Sequence, residues 1–289
     1  MFHFECDLMK KRHGEIDKAW KIFWKAVMDV DVVLEVLDPR APNMYRNRSV
    51  EQRLKELNKK IILVINKADL VPKEVNDAWK EYLLKEYPTV FISTRLRQGT
   101  RILRKTILRV APRIPVIVGL MGYPNVGKSS IINVLRGKHG ARTSPMPGFT
   151  RHMQLFNVTP KIKMMDTPGI FPPLGDDCEL TIKGALRAEK LINPLSVALC
   201  LLDYVKSLDA EKVKEVYGID KDGIDFFEEL ARKRGRLLKG GILDVDEAAR
   251  IFIREWQIGK LVVWELPNKR GIIKKIRERK EKSEHTITE

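Results

Sequence analysis

The stretch VIVGLMGYPNVGKSSIINVL, running from Val116 to Leu135, decides the fold. The apolar run from Pro115 to Met121 reads as a buried strand, and the amphipathic run that closes the stretch reads as a helix. Between them stands Gly122-x-x-x-x-Gly127-Lys128-Ser129, the strand–loop–helix setting that a phosphate-binding P-loop requires. Glycines let backbone N–H groups turn inward on a phosphate, and the helix N-terminus adds partial positive charge. Lys128 can reach the β- and γ-phosphates, and the Ser129 hydroxyl can ligate Mg²⁺. Asn125, Val126, Gly127 and Ser130 complete the candidate phosphate cradle.

Upstream, IILVINKADL places a continuous apolar strand, Ile61 to Ile65, before Asn66-Lys67-Ala68-Asp69. NKxD at a strand end is the guanine-reading element of GTP-binding proteins. A carboxylate at Asp69 can accept hydrogen bonds from guanine N1–H and from its exocyclic amine. Adenine lacks that donor pair, so a buried carboxylate left unpaired would reject it. Asn66 and Lys67 would fix the base and the loop, and an ATPase reading is disfavoured. A short strand, TVFIS, then ends at Ser93-Thr94-Arg95, where a loop over the guanine O6 edge belongs; the Ser-Thr-Arg form is a weak signal alone.

Downstream of the P-loop, RTSPMPGFTRHMQLFNV has no helical period and reads as a loop entering a strand. Thr150 in that loop is the candidate second hydroxyl on Mg²⁺. KIKMMDTPGI gives a further strand ending in Asp166-Thr167-Pro168-Gly169; Asp166 would serve the Mg²⁺ shell, and the Gly169 N–H would face the γ-phosphate. Lys128, Thr150 and Gly169 are thus the candidate catalytic groups. The next residue is Ile170, which cannot orient an attacking water as a glutamine there would.

The guanine motif precedes the phosphate motif, the reverse of the usual order. Tertiary structure, not chain order, brings such loops to one end of a parallel sheet, so a circular permutation accounts for all five loops. In that order the DxxG loop ends the nucleotide domain and leads straight into the helical C-terminal part of the chain.

With LDPRAP, INKADL, GYPNVGKSSIIN, PGFT, DTPGI and RKRGRLLKGGILDVDEAARIFIREW, the chain resembles the circularly permuted ribosome-assembly GTPases of the YlqF/RbgA kind over nearly its whole length. The resemblance implies a GTP hydrolase that binds ribosomal RNA and helps mature the large ribosomal subunit. It also implies a K⁺ ion held near Asn125, and matches Ile170 to a hydrophobic residue the group carries in place of glutamine. The histidine such relatives often bear near the N-terminus is missing: the corresponding residues here are Asp7-Leu8-Met9, and His3 and His13 read as surface histidines. The resemblance therefore implies turnover that is slow alone and raised by ribosomal particles and K⁺. The alternative is a GTP-dependent RNA-binding switch with negligible hydrolysis.

The expected architecture is α/β: a permuted P-loop GTPase domain over residues 1–172, with a mostly parallel sheet and helices on both faces, then a smaller all-helical basic domain over 173–289. Composition agrees with a polyanionic partner, since 54 basic residues stand against 38 acidic ones for a net charge of +16. Three basic candidates compete for that partner: the helix from Gln98 to Arg113, the segment Arg232, Lys233, Arg234, Arg236 and Lys239, and the tail KRGIIKKIRERKEK. Each also reads as an ordinary solvated surface. On the first of them, Arg97, Arg101 and Arg104/Lys105 are expected on one face, opposite Ile102, Thr106 and Val110. Ser49, with Gln52 three residues on, reads as a capping box. Cys6, Cys178 and Cys200 are scattered without a CxxC pair, arguing against disulfides or zinc and for a reducing cytoplasm. No apolar run approaches membrane-spanning length, the N-terminus lacks a signal-peptide core, and a monomer is expected.

Overall fold

The computed structural model describes residues 17–136, 154–166 and 175–267. The chain divides at residues 172–173 into two compact units, the second ending at Glu265.

In the first unit, helix α1 (residues 17–28) buries Phe23, Ala26 and Val27. Strand β1 (Val32–Leu37) leads to helices α2 (Pro42–Tyr45) and α3 (Arg48–Glu56). Then come β2 (Lys60–Ile65), α4 (Lys73–Leu83), β3 (Thr89–Phe91), α5 (Thr100–Val110), β4 (Val116–Met121), α6 (Lys128–Arg136), β5 (Gln154–Thr159) and β6 (Ile162–Asp166). The strands form one six-stranded sheet in the order β3-β2-β1-β4-β6-β5. Every neighbouring pair is parallel except β5 with β6. Buried parallel strands read as unbroken apolar runs, and β1 (VVLEVL) and β2 (KIILVI) do so. Parallel pairing also puts the carboxyl ends of β1, β2, β3, β4 and β6 along one edge. The chain leaves β1 outward through β2 and β3, returns to β4 beside β1, and continues to the other side. The order therefore reverses between β1 and β4, where ligands of open α/β sheets bind.

The one polar residue of β1, Glu35, is buried and accepts the Asn47 N–H at 2.9 Å. Burial and the nearby Glu51 charge push its carboxyl well above the usual range. Arg46, buried beside it, donates to both Glu51 oxygens, at 2.7 and 2.6 Å, and to Glu86 at 2.9 Å.

Two local expectations are corrected. Asn47, not Ser49, caps α3: its side chain accepts the Val50 N–H at 3.1 Å, and Ser49 donates to Asn47 instead. In α5 the core face is Leu103, Thr106 and Ile107, whereas Ile102 is 61% exposed. Arg97 lies before the helix with φ 56°, and Arg104 turns to the Leu135 carbonyl at 2.7 Å. Arg101, Lys105 and Arg109 are left on the exposed side.

The second unit holds α7 (Asp177–Ile182), α8 (Pro194–Tyr217), α9 (Gly223–Lys233) and α10 (Val245–Ile258). Tyr217, Phe226, Phe227 and Phe252 pack ring against ring at its centre, and the Trp256 indole N–H reaches the Ile182 carbonyl at 2.9 Å. Sequence spacing suggests separate helices ending at Ser207 and beginning at Ala210; the two abut in α8 at Asp209, whose φ of −158° kinks it. The Asp209 carboxylate accepts the Lys212 N–H at 2.9 Å and so caps the second segment. Cysteine spacing argued against a disulfide, yet Cys178 on α7 is joined to Cys200 on α8, across a separation of 22 residues. Linear spacing hides that these helices run side by side.

Candidate nucleotide site

The site is assembled where β1, β2, β3 and β4 end. Gly122 and Gly127 take φ values of 140° and 99°. A Cβ on Gly122 would lie 2.4 Å from the Val36 carbonyl oxygen, and one on Gly127 would lie 2.1 Å from Asn66 Nδ2. Only glycine fits either position. Asn125 stands between them at φ 62°, with its side chain at the surface, and Ser129 and Ser130 are exposed in the first turn of α6. Lys128 folds back so that Nζ donates to the Gly122 and Tyr123 carbonyls, both at 2.7 Å. Burial lowers this ammonium to about 8.

Asn66 ties three loops together. Its amide donates to the Val126 carbonyl in the P-loop at 2.8 Å, and its oxygen accepts the Thr94 N–H at 3.3 Å. Thr94 thus spends its N–H on the protein. Ser93 is buried, and its hydroxyl accepts the Leu96 N–H at 3.0 Å, tightening the turn that Ser93 and Gln98 close by mutual backbone bonds. Lys67, left-handed at φ 57°, reaches Asp38 at 3.2 Å, and the Ala68 N–H is fixed by the Ile92 carbonyl at 3.0 Å. Asp69 stands on the 3₁₀ turn Ala68–Leu70 with Oδ1 buried and unpartnered, while Oδ2 carries Arg95.

Two supports escape sequence reasoning. Asp38 is fully buried; burial would raise its carboxyl, but Arg40 and Lys67 beside it hold it down at about 2. Arg40 binds it in a fork, Nε to Oδ1 at 2.9 Å and Nη2 to Oδ2 at 3.2 Å, so Asp38 is a fixed anchor for Lys67. Asn76 on α4 holds the Ala68 carbonyl at 2.8 Å. The signal for the first was an acid closing a buried strand just before Pro-Arg; nothing marked the second.

Asn66, Lys67, Ala68, Asp69, Ser93 and Thr94 are therefore gathered beside the Asn125–Ser130 loop. Asp166 ends β6 at the same edge, since β6 pairs in parallel with β4 through Val118 and Met164. Thr150, Gly169 and Ile170 lie outside the described residues. So do His3, His13 and the basic tail. Of the second basic candidate, Arg232 pairs with Glu229, Lys233 with the Tyr217 and Gly218 carbonyls, and Arg234 with Glu255. Arg236 and Lys239 remain exposed on a loop closed by the Leu237–Leu243 bridge, beside exposed Leu237, Leu238 and Ile242.

A P-loop with an NKxD loop hydrogen-bonded across to it, on a mostly parallel sheet, defines a guanine-nucleotide-binding P-loop protein. Family models agree: one described as 50S ribosome-binding GTPase matches residues 117–233, and one described as RsgA GTPase matches residues 17–173. The chain belongs to the circularly permuted ribosome-biogenesis GTPases. An uncharacterized GTP-binding protein of Methanocaldococcus jannaschii is 44% identical over 246 residues, which is 83% of this chain and 65% of the relative. Nucleolar GTP-binding protein 2 of Pneumocystis carinii is 38% identical over 258 residues, 86% of this chain and 53% of the relative. The chain thus spans between half and two thirds of these curated relatives. The crystal structure of GNP-bound YlqF from T. maritima superposes with a TM-score of 0.64 at 27% identity, covering 87% of this chain and 99% of that one. Its GDP-bound counterpart gives 0.60 at 28% identity, over 82% and 95%. Among the described residues, no helix is long and apolar enough to cross a membrane.

Proposed function

We propose that the protein binds and hydrolyses GTP, binds ribosomal RNA, and assists assembly of the large ribosomal subunit. The observation that carries the guanine reading is Asp69 Oδ1: a buried carboxylate oxygen without a hydrogen-bond partner, on the loop that Asn66 pins to the P-loop. Such an oxygen is a liability unless a donor arrives, and guanine N1–H with its amine supplies the matching pair.

In this reading Asp69 selects the base, while Asn66, Lys67 and Ala68 hold the loop that presents it. The Asn125–Ser130 backbone cradles the β- and γ-phosphates. Lys128 exchanges its two carbonyl partners for phosphate oxygens and offsets charge that builds up during transfer. Ser129, with Thr150 and Asp166, would hold Mg²⁺, which when bound neutralises the phosphates; Asn125 would help hold K⁺. Gly169 would sense the γ-phosphate, and its loop leads along the chain into the helical unit, where Arg236 and Lys239 are the candidate RNA contacts. Support for the assembly role comes from the family and its nucleolar members.

The test is the GTPase rate with and without large ribosomal subunits, in K⁺ and then Na⁺. Turnover that is slow alone and rises with subunits in K⁺ is the expected result. No stimulation under any of the four conditions would favour the second reading, a GTP-dependent RNA-binding switch, which Ile170 in place of glutamine supports.

A further inference from the structure

Asp69 Oδ2 is already taken. Arg95 places Nε 3.0 Å and Nη2 2.8 Å from that one oxygen. Nε donates to it and Nη2 completes the ion pair, so the guanidinium stands in the space that a second ligand of that oxygen needs. Guanine needs both oxygens of the carboxylate, one for N1–H and one for the amine. Oδ1 has no partner, and Oδ2 carries the Arg95 guanidinium.

We propose that Arg95 is a latch on the base-reading carboxylate, which must leave Asp69 before guanine can enter and which thereby sets the association rate of guanine nucleotides. The proposal rests on the guanine reading of Asp69. The geometry makes release a side-chain movement. Ser93 and Gln98 exchange backbone hydrogen bonds at 3.2 and 3.0 Å, and the Thr94 N–H is fixed to Asn66, so the turn under Arg95 is held. The Arg95 side chain itself is 74% exposed, whereas that of Asp69 is 8% exposed. Rotation carries the guanidinium into water without disturbing the backbone. The neighbouring cation, Lys67, does not compete for Asp69 because it is engaged by Asp38. An ion pair whose cation stands in water is held less tightly than a fully buried one, which suits a latch that must open spontaneously.

With the latch in pre-equilibrium, only the open fraction binds, so its removal accelerates association and leaves dissociation unchanged. Stopped-flow binding of a fluorescent GDP to the Arg95→Ala chain should show association roughly two- to five-fold faster, with Kd tightened by the same factor. Added NaCl should shrink the difference from the unsubstituted chain, because screening opens the latch. Unchanged or slower association would overturn the proposal. The Asp69→Asn chain separates this failure from that of the guanine reading. If Asp69→Asn leaves GDP affinity intact, Asp69 does not read the base and both readings fall. If Asp69→Asn weakens GDP binding while Arg95→Ala changes nothing, the latch alone falls. In the double variant, Arg95→Ala should have no effect on GDP association.

Discussion

Lys128 is charged at neutral pH only against the pull of its surroundings. Burial lowers its ammonium to about 8 from the usual lysine range, and two backbone carbonyls at 2.7 Å are its only described partners. For a base with a depressed folded-state pKa, the penalty of the buried charge is present below about 8 and is relieved as pH rises toward the unfolded value. Phosphates reverse this preference by stabilising the ammonium, so nucleotide binding should draw in a proton above pH 8. At pH 8.5, calorimetry of GDP binding in buffers of different ionisation enthalpy should report uptake of about three quarters of a proton, with affinity falling as pH rises further. Uptake near zero would mean that Lys128 is not the group that meets the phosphates. Asp38 has the opposite character: it stays ionised throughout this range and keeps Lys67 on station.

At the scale of elements, the same helical pattern gives different answers according to what covers it. In α5 the apolar residues Ile102 and Leu108 stay exposed while Leu103 and Ile107 are buried, because β2 and β3 cover only one face. Helices α7 and α8 are joined by the Cys178–Cys200 bridge as well as by packing. Closing a loop of this length stabilises by about 3 kcal/mol in the chain-entropy picture. Urea unfolding of the helical unit, monitored through the buried Trp256 indole, should therefore lose about that much on reduction. A Cys200→Ser chain should start from the lower value and ignore reductant; equal stability with and without reductant in the unsubstituted chain would show that the bridge does not form.

At the scale of the whole molecule the chain carries a net charge of +16, and among the described residues part of its basic charge is internally paired. Arg232 and Arg234 are paired with Glu229 and Glu255 and Lys233 with helix-end carbonyls, whereas Arg236 and Lys239 stand exposed and are the first to test as phosphate contacts. Counterion release makes such contacts visible in salt dependence. Replacing Arg236 and Lys239 together by Glu should weaken binding to large-subunit ribosomal RNA and flatten the slope of log affinity against log salt by about 1.5. An unchanged slope would move the RNA contact elsewhere, with the exposed Arg101, Lys105 and Arg109 face of α5 the next to test.

The residues alone pointed to the candidate nucleotide loops, because phosphate and guanine recognition demand particular residue types at fixed spacing. The apolar runs of β1, β2 and β4 likewise announced buried parallel strands, and the inverted order of NKxD and P-loop announced the permutation. Cooperation between distant positions was not legible. That Asn66 joins Val126 to Thr94, that Asp38 anchors Lys67, that Arg95 pairs with one oxygen of Asp69, and that Cys178 meets Cys200 all depend on which chain ends the sheet and helices bring within hydrogen-bonding or bonding distance. Helix faces were misread for the same reason: periodicity shows that a helix has an apolar side, while burial is decided by the neighbours that tertiary structure supplies.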